Sequence, residues 1–184
     1  VYKRQVVCSL LTLSITSCEK DLLEKEQYQK EIYLIGAYNR VWTTEVSYSN
    51  EEVKTYFTVS SSGTLALDRD VNVKMKINEE LVDIYNKKYW TVLNEDKYYK
   101  SLDTDLYSIP SLENTVIKHA EGISAEVPVL IKTASLKIDQ SYVIPVEIES
   151  TTGYPISESG YKMLILLKLK NDYSGSYQTV SYTH

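Results

Sequence analysis

Apolar and polar residues alternate with period two along several stretches of this chain. In residues 71–77, 125–131 and 142–148 every second residue is apolar, which is the pattern of a strand buried on one face. Pro128 lies within the second stretch and cannot donate a backbone hydrogen bond, so it favours an edge position. Residues 163–169 are nearly all apolar and predict a central strand that is buried on both faces.

Shorter stretches and one helical pattern complete the prediction of the fold. The shorter strand candidates are residues 32–35, 44–49, 53–59, 64–67 and 115–118. Residues 79–89 break the alternation, because Asn78 suits a helix N-cap and Leu81, Ile84 and Tyr85 share a helical face. We therefore predict an all-β fold, an immunoglobulin-like β-sandwich over residues 31–170 with one short helix inserted.

The amino terminus has the pattern of a secretory signal peptide over residues 1–17. An uncharged apolar run of about eleven residues follows Lys3 and Arg4, and it is too short to span a bilayer, which needs about twenty residues. The run ends in Ile15, Thr16 and Ser17, which precede Cys18.

Ile15, Thr16, Ser17 and Cys18 resemble the lipobox of bacterial lipoproteins. Small residues before the cysteine allow the peptidase to cleave there, and the Cys18 thiol would carry the lipid. The alternative is an amphipathic first helix with an incidental cysteine.

The segment after Cys18 is rich in charge and predicts a tether over residues 18–30. Glu19, Lys20 and Asp21 resemble the export signal that follows the lipid cysteine in Bacteroidetes surface lipoproteins. This resemblance implies a lipid anchor in the outer membrane that faces the cell exterior. The alternative is a solvated tether on a protein that faces the periplasm.

Both ends of the chain resemble translated sequencing-adapter sequence. We therefore expect residues 1–5 and 180–184 not to belong to the natural protein, in which case Lys3 and Arg4 carry no information about the signal peptide.

Composition and motifs exclude several function classes. The net charge is −5 without a basic face, so no nucleic-acid partner is expected. His119 has no partner of a catalytic motif beside it in the sequence, and the aspartate pairs at 68 and 70 and at 103 and 105 lack the further ligands that calcium needs. We predict no catalytic residue, no metal site and no cofactor.

Five aromatic residues are the candidates for a ligand site. Trp42, Tyr89, Trp90, Tyr98 and Tyr99 have flat rings on which a sugar could stack. The alternative is that they pack the helix and its following loop onto the sandwich.

The order of several motifs resembles a known family. The sequence NEELVDIYN begins at Asn78, TVIKHAEG at Thr115, AEVPVLIK at Ala125 and SYVIPVEI at Ser141, before a last strand LILLKLK. Over residues 32–170 this order resembles the Bacteroidetes surface-lipoprotein N-terminal domain known as domain of unknown function 1735. His119 departs from the more frequent isoleucine of that pattern, and Ala120 departs mildly as well.

The resemblance implies a setting and a domain order. Members are typically surface lipoproteins encoded near glycan-utilisation systems, and the domain often precedes a lectin-like module or a family 18 glycoside hydrolase. Residues 171–184 look like a linker and the start of such a truncated C-terminal module.

Three functions remain open from the sequence. The first is a non-catalytic surface lipoprotein module that supports glycan capture or spaces a C-terminal functional domain from the membrane. The others are an accessory domain in front of an endoglycosidase and an adhesin or pilus-like subunit. The expected partners are the membrane through the lipid anchor, glycans and other outer-membrane glycan-uptake proteins.

Overall fold

A computed structural model describes residues 25–170. Within that range the strands are β1 (Ile32–Leu34), β2 (Val41–Ser47), β3 (Glu52–Ser61), β4 (Val71–Ile77), β5 (Lys100–Ser101), β6 (Tyr107–Ser108), β7 (Thr115–Ile117), β8 (Ser124–Lys132), β9 (Tyr142–Thr151) and β10 (Lys162–Lys170). One α-helix, α1, covers Glu80–Tyr89, and three 3-10 helices cover Ala37–Asn39, Val92–Lys97 and Thr104–Leu106. The predicted signal peptide, Cys18, the export signal and the predicted C-terminal module lie outside the described residues.

The strands form two sheets. One has the order β1-β3-β8-β6, and the other has the order β2-β10-β9-β4-β7. The short strand β5 also pairs with β9, at Tyr142 and Val143, which β4 does not reach. Most neighbours are antiparallel, but β2 runs parallel to β10, with Val41 opposite Leu164 and Ser47 opposite Lys170. This arrangement confirms the predicted all-β sandwich with one short helix inserted.

Most apolar side chains meet between the two sheets. Phe57, Ile32, Met75, Ile117 and Ile131 are each at most 1% exposed in this layer. Their alternation along the strands is the reason that periodicity predicted the strands at 71–77, 125–131 and 142–148.

A second, smaller apolar cluster lies on the outer face of the six-stranded sheet. Leu81 and Val82 of α1 pack there against Val143 of β9 and Leu164 of β10. The helix therefore covers strand positions that would otherwise face water, and β10 is buried on both faces, as its nearly continuous apolar run predicts.

The helix begins where the sequence indicates. The Asn78 side chain accepts a hydrogen bond from the backbone N–H of Glu80 at 3.2 Å, so it satisfies one of the free N–H groups of the first turn. Glu80 and Asp83 lie in the first turn, and Lys87 and Lys88 lie in the last, as the helix dipole favours.

Two strand predictions need correction. Residues 64–67 form no strand, because the backbone N–H of Thr64 donates to the Glu26 carboxylate at 2.5 Å instead of to a neighbouring strand. Leu67 is apolar because it packs into the core from this loop. The candidate at 44–49 is β2, which begins earlier, at Val41.

Pro128 lies where β8 has one partner strand among the described residues. It pairs with Tyr56 of β3, whereas β6 reaches only Leu130 and Ile131 on the other side. The strand is interior over those two positions and at an edge at Pro128, which is the local environment that proline requires.

The chain enters and leaves the sandwich at opposite ends. Ile32 pairs with Ser61 at the last residue of β3, and this side is called the N-terminal end. The backbone oxygen of Lys170 accepts from Tyr48, just before β3 begins at Glu52, and this side is called the C-terminal end. The ten residues of β3 separate the two ends by about 30 Å. Within residues 25–170 no helix has the length and apolarity to cross a membrane.

Candidate ligand-binding cleft

A cleft of about 400 Å³ lies on the outer face of the six-stranded sheet, beside α1. Its lining residues come from the 3-10 turn before β2, from α1 and from the segment that leads into β10: Ala37, Tyr38, Arg40, Leu81, Ile84, Tyr85, Lys88, Tyr89, Glu158, Ser159, Tyr161, Lys162, Met163 and Leu164. This volume lies within the range that small-molecule sites occupy. We call this site the cleft.

Stacked tyrosine rings build the helical wall of the cleft. The rings of Tyr85 and Tyr99 are nearly parallel, with centroids 5.2 Å apart, and Tyr89 contacts Tyr85 at 4.4 Å and a tilt of 35°. Burial, helped by the neighbouring Tyr99 hydroxyl, raises the pKa of Tyr85 to about 12, so its hydroxyl stays protonated and able to donate. Tyr89 is 48% exposed and presents its ring to the opening.

Asn86 fixes this wall to the loop that follows the helix. Its side-chain amide donates to the backbone oxygen of Tyr99 at 2.9 Å and accepts from the backbone N–H of Tyr99 at 3.0 Å. Asn86 is 5% exposed, so both hydrogen bonds form out of water. The Asn86 side chain thus satisfies both backbone groups of Tyr99, as a neighbouring strand would, and it holds the Tyr99 ring beneath Tyr85.

The opposite wall is a tight turn with two residues in the left-handed region. Gly36 has φ +89°, and a Cβ there would lie 2.5 Å from Cε3 of Trp42. Arg40 has φ +62° and is the one non-glycine residue with positive φ in residues 25–170. Its N–H donates to Ala37 and its oxygen accepts from Leu164, both at 2.8 Å, so the backbone of Arg40 joins the turn to β10.

Positive charge predominates in the cleft. Arg40, Lys88 and Lys162 line it with one carboxylate, Glu158. Lys88 Nζ lies 5.3 Å from the centroid of the Tyr89 ring, and Lys162 Nζ lies 4.8 Å from that of Tyr161. Among residues 25–170, no carboxylate lies within 4.0 Å of any of these three cations.

Charges at the β4–β7 edge are arranged differently. The Arg69 guanidinium donates two hydrogen bonds to Asp68, at 2.9 and 3.0 Å, and these hydrogen bonds hold the pKa of Asp68 well below its usual range. His119 Nδ1 lies 2.6 Å from Asp70 Oδ1, and the backbone N–H of His119 donates to the same oxygen. With Lys118, Glu121 and Tyr154, these residues form the paired-charge corner.

The five predicted ligand residues are not all together. Tyr89 lines the cleft, and Tyr99 supports it from beneath Tyr85. Trp42 pairs with Ile165, one position after the Val41–Leu164 pair that packs under the helix, so it lies on the other face of the sheet.

Trp90 and Tyr98 lie near the 3-10 helix that follows α1 and do not line the cleft. Trp90 packs under Lys97, whose Nζ lies 5.7 Å from the ring centroid. Ligand binding by the five aromatic residues stays a prediction, and the geometry favours Tyr89 among them.

Sequence reasoning missed most of the cleft. Tyr38, Arg40, Tyr161 and Lys162 lie in a turn and in the segment entering β10, and no motif joins them along the chain. The available signal was Gly36, because a glycine before a 3-10 turn indicates a close approach of the backbone to another group.

The cleft contains a single carboxylate and no cluster of metal ligands among the described residues. In the described part of the chain Glu158 is its one carboxylate, whereas glycoside hydrolysis uses two flanking carboxyl groups. No group of three or more potential metal ligands occurs in residues 25–170.

Comparisons with known proteins identify the class and then the family. The fold is that of β-rich modules found in larger Bacteroides proteins, and the chain's match spans well under half the length of several of them. A family model described as "-like, N-terminal domain" matches residues 28–155. The chain belongs to that family, the domain of unknown function 1735 family.

Solved structures share the fold of this chain. A multidomain protein including DUF1735 from Bacteroides ovatus has a TM-score of 0.59 at 20% identity, covering 74% of this chain and 43% of that chain. An auxiliary nutrient binding protein from Bacteroides thetaiotaomicron has a TM-score of 0.60 at 16% identity, with 76% and 47% covered.

The endoglycosidase EndoBT-3987 of Bacteroides thetaiotaomicron, solved with its Man5GlcNAc product, has a TM-score of 0.54 at 20% identity, with 75% and 30% covered. No curated protein matches the chain.

Proposed function

We propose that this domain is a non-catalytic module of a lipid-anchored surface protein, that it spaces a C-terminal functional domain from the membrane, and that it supports glycan capture. The observation that carries the proposal is the path of the chain. Residues 25–31 lie at the N-terminal end beside Ser61 and Ser62, and Lys170 leaves at the C-terminal end. A domain threaded in this way adds its own length, about 30 Å, between whatever precedes and whatever follows it.

Glycan capture is supported by the cleft and by the relatives. The fold is shared with a nutrient binding protein and with an endoglycosidase that was solved with a mannose-containing product. Exposed tyrosine rings beside donors of hydrogen bonds suit the alternating apolar and hydroxylated faces of a sugar.

The proposed location rests on the amino-terminal sequence. Lipid on Cys18 with the export signal Glu19–Asp21 would hold the protein on the outer membrane facing the exterior, near other glycan-uptake proteins. Cys18→Ala is expected to release the full-length protein from membranes, and surface protease treatment of intact cells would digest the unaltered protein. Retention of the variant in membranes would contradict the anchor.

Spacing is tested by replacing the domain. In the full-length protein, residues 31–170 are exchanged for an unrelated sandwich whose termini lie at opposite ends, and separately for one whose termini lie together. We expect the first replacement to preserve growth on the target glycan and the second to reduce it. Equal growth with both replacements would contradict a spacing role.

A second candidate function is an accessory domain of an endoglycosidase. The observation that favours it is the shared fold with EndoBT-3987. Release of oligosaccharides from glycoproteins by the full-length protein tests it, and the same rate after deletion of residues 31–170 would contradict an accessory role.

A further inference from the structure

We propose that the cleft binds an acidic unit of a glycan, a sugar ring that bears a carboxylate or a sulfate. The inference rests on the proposed glycan capture and names the chemical class of its ligand. Arg40, Lys88 and Lys162 would hold the anionic group, and the ring would pack on the exposed faces of Tyr38 and Tyr89.

The first argument is positive charge that no carboxylate offsets: Lys88 and Lys162 contact tyrosine rings, but neither has an ion-pair partner among residues 25–170. Several cations of the sheets and loops are paired with a carboxylate, as Lys74 is with Glu149 at 2.8 Å and Lys118 is with Glu121 at 2.8 Å. The three cations of the cleft instead converge on one space without a carboxylate within 4.0 Å. In a chain of net charge −5, such a concentration marks a place that attracts anions.

The second argument is the backbone at Arg40. The position after a 3-10 or α-helical turn with a left-handed conformation is usually glycine, because a Cβ is strained there. Arg40 occupies this position with φ +62°. Arg40 lines the cleft at this strained position. We infer that the position requires its guanidinium, which can donate two parallel hydrogen bonds to a carboxylate or a sulfate.

The third argument separates a sugar from other anions. Tyr38 is 88% exposed and Tyr89 is 48% exposed, and both line the cleft. Aromatic rings contribute apolar contact to the C–H face of a sugar ring. A free phosphate or a lipid headgroup would use the cations but leave these rings without a role.

The experiment measures binding to the purified full-length protein by isothermal titration calorimetry. The probes are a short oligogalacturonate, a sulfated chondroitin oligosaccharide, a neutral maltooligosaccharide and phosphatidylglycerol vesicles. We expect at least one of the two acidic saccharides to bind, and the affinity to fall as salt is raised. A preference between them tells a carboxylate from a sulfate ligand.

Matched variants assign the binding to the cleft. Lys88→Gln with Lys162→Gln is expected to weaken the acidic saccharide by about tenfold or more, since charge-assisted hydrogen bonds are lost. The control, Lys74→Gln with Lys118→Gln, removes the same charge from paired positions and is expected to change affinity by less than about twofold. Arg40→Gly is a second test, because it removes the guanidinium while relieving the backbone.

Each other result overturns the inference in a distinguishable way. Binding of the neutral saccharide alone, lost in Tyr89→Ala but kept in the lysine variant, would leave glycan capture intact and reject the acidic ligand. Binding of vesicles alone would assign the cleft to a lipid surface. Binding of no saccharide by the full-length protein would reject both the inference and glycan capture, and the spacing role would stand. An equal loss in the cleft and control variants would place the site elsewhere.

Discussion

The cleft and the paired-charge corner lie at opposite edges of the same six-stranded sheet, and they treat charge in opposite ways. At the corner, Asp68 pairs with Arg69, Lys118 pairs with Glu121, and Asp70 accepts a hydrogen bond from the backbone N–H of His119, so these charged groups all have partners within the protein. In the cleft, Arg40, Lys88 and Lys162 line a common space without a carboxylate of residues 25–170 within 4.0 Å of any of them.

The difference gives a criterion for two kinds of charged side chain. Those paired with each other hold loops together, whereas those without an ion-pair partner are available for a ligand. The corner links the segments around β4, β7 and β9, so its side chains are used in the folded state itself. The cleft is supported by the buried Asn86 side chain and by the close contact of Gly36 with Trp42, and its three cations form no ion pair within the described part of the chain.

The largest expected effect is at the buried support of the cleft wall. Asn86→Ala removes both hydrogen bonds to the Tyr99 backbone and leaves two buried polar groups unpaired, at a cost of about 3 kcal/mol in the free energy of unfolding. Beside the corner, just after β9, Thr152→Ala loses one exposed hydrogen bond that the Thr152 hydroxyl accepts from the backbone N–H of Asn72, and it is expected to cost about 0.5 kcal/mol. Chemical denaturation of both variants checks the contrast, and equal losses would contradict it.

The next effect compares two glycines with similar backbone angles. Gly36 in the cleft turn has φ +89°, and Gly153 at the corner has φ +84°. Alanine at either position costs about 1 kcal/mol for the left-handed backbone. Gly36→Ala is expected to cost about 1 kcal/mol more, because the new Cβ overlaps the Trp42 ring, whereas at Gly153 it meets the flexible Arg69 side chain at 3.2 Å. Thermal unfolding measures the stability of both variants. If Gly153→Ala were as destabilising as Gly36→Ala, backbone strain alone would account for the loss of stability.

A smaller effect has the opposite sign. Arg40→Gly keeps both backbone hydrogen bonds and removes a strained Cβ, so the protein is expected to become more stable by up to about 1 kcal/mol. The same variant should bind the acidic saccharide more weakly. Loss of both stability and binding would indicate that Arg40 supports the fold.

The smallest effect is the acid dependence of the corner. The hydrogen bonds from Arg69, and then the one from Tyr154, lower the pKa of Asp68 in the folded protein. A carboxyl group with a lowered folded pKa stabilises the fold above its unfolded pKa of about 4, and the contribution disappears as the pH falls through the folded value. Asp68→Asn should therefore be slightly less stable than the unaltered protein at about pH 6 and converge with it in strong acid.

Melting temperatures of the two proteins, measured between about pH 2 and pH 6, report this difference in stability. Added salt should reduce the difference because the Asp68–Arg69 pair is exposed. A difference that stays constant across the range would show that the Asp68 carboxylate contributes nothing specific.

Much of the fold could be predicted from the sequence because burial between two sheets imposes a period of two. The continuous apolar run of β10 likewise predicted burial on both faces, and Leu164 beneath the helix explains it. The strand predicted at 64–67 was wrong, because Leu67 shows that a loop can also send a side chain into the core.

The cleft could not be predicted in the same way. Its parts meet only because β2 lies parallel to β10, which brings the turn at Arg40 beside Lys162, far away in sequence. Aromatic composition pointed to Tyr89 and, after it, to Trp42, and only the register placed Trp42 on the opposite face of the sheet from the cleft.

The path of the chain through the sandwich also determines how the domain would respond to mechanical tension. A pull between Ile32 and Lys170 acts along the strands, so the ladders that join β10 to β2 and β9 would be loaded in shear. Hydrogen bonds loaded in shear must yield together, whereas a hairpin pulled from one end opens one bond at a time. A domain threaded end to end in this way would therefore resist unfolding when it is pulled between its two ends.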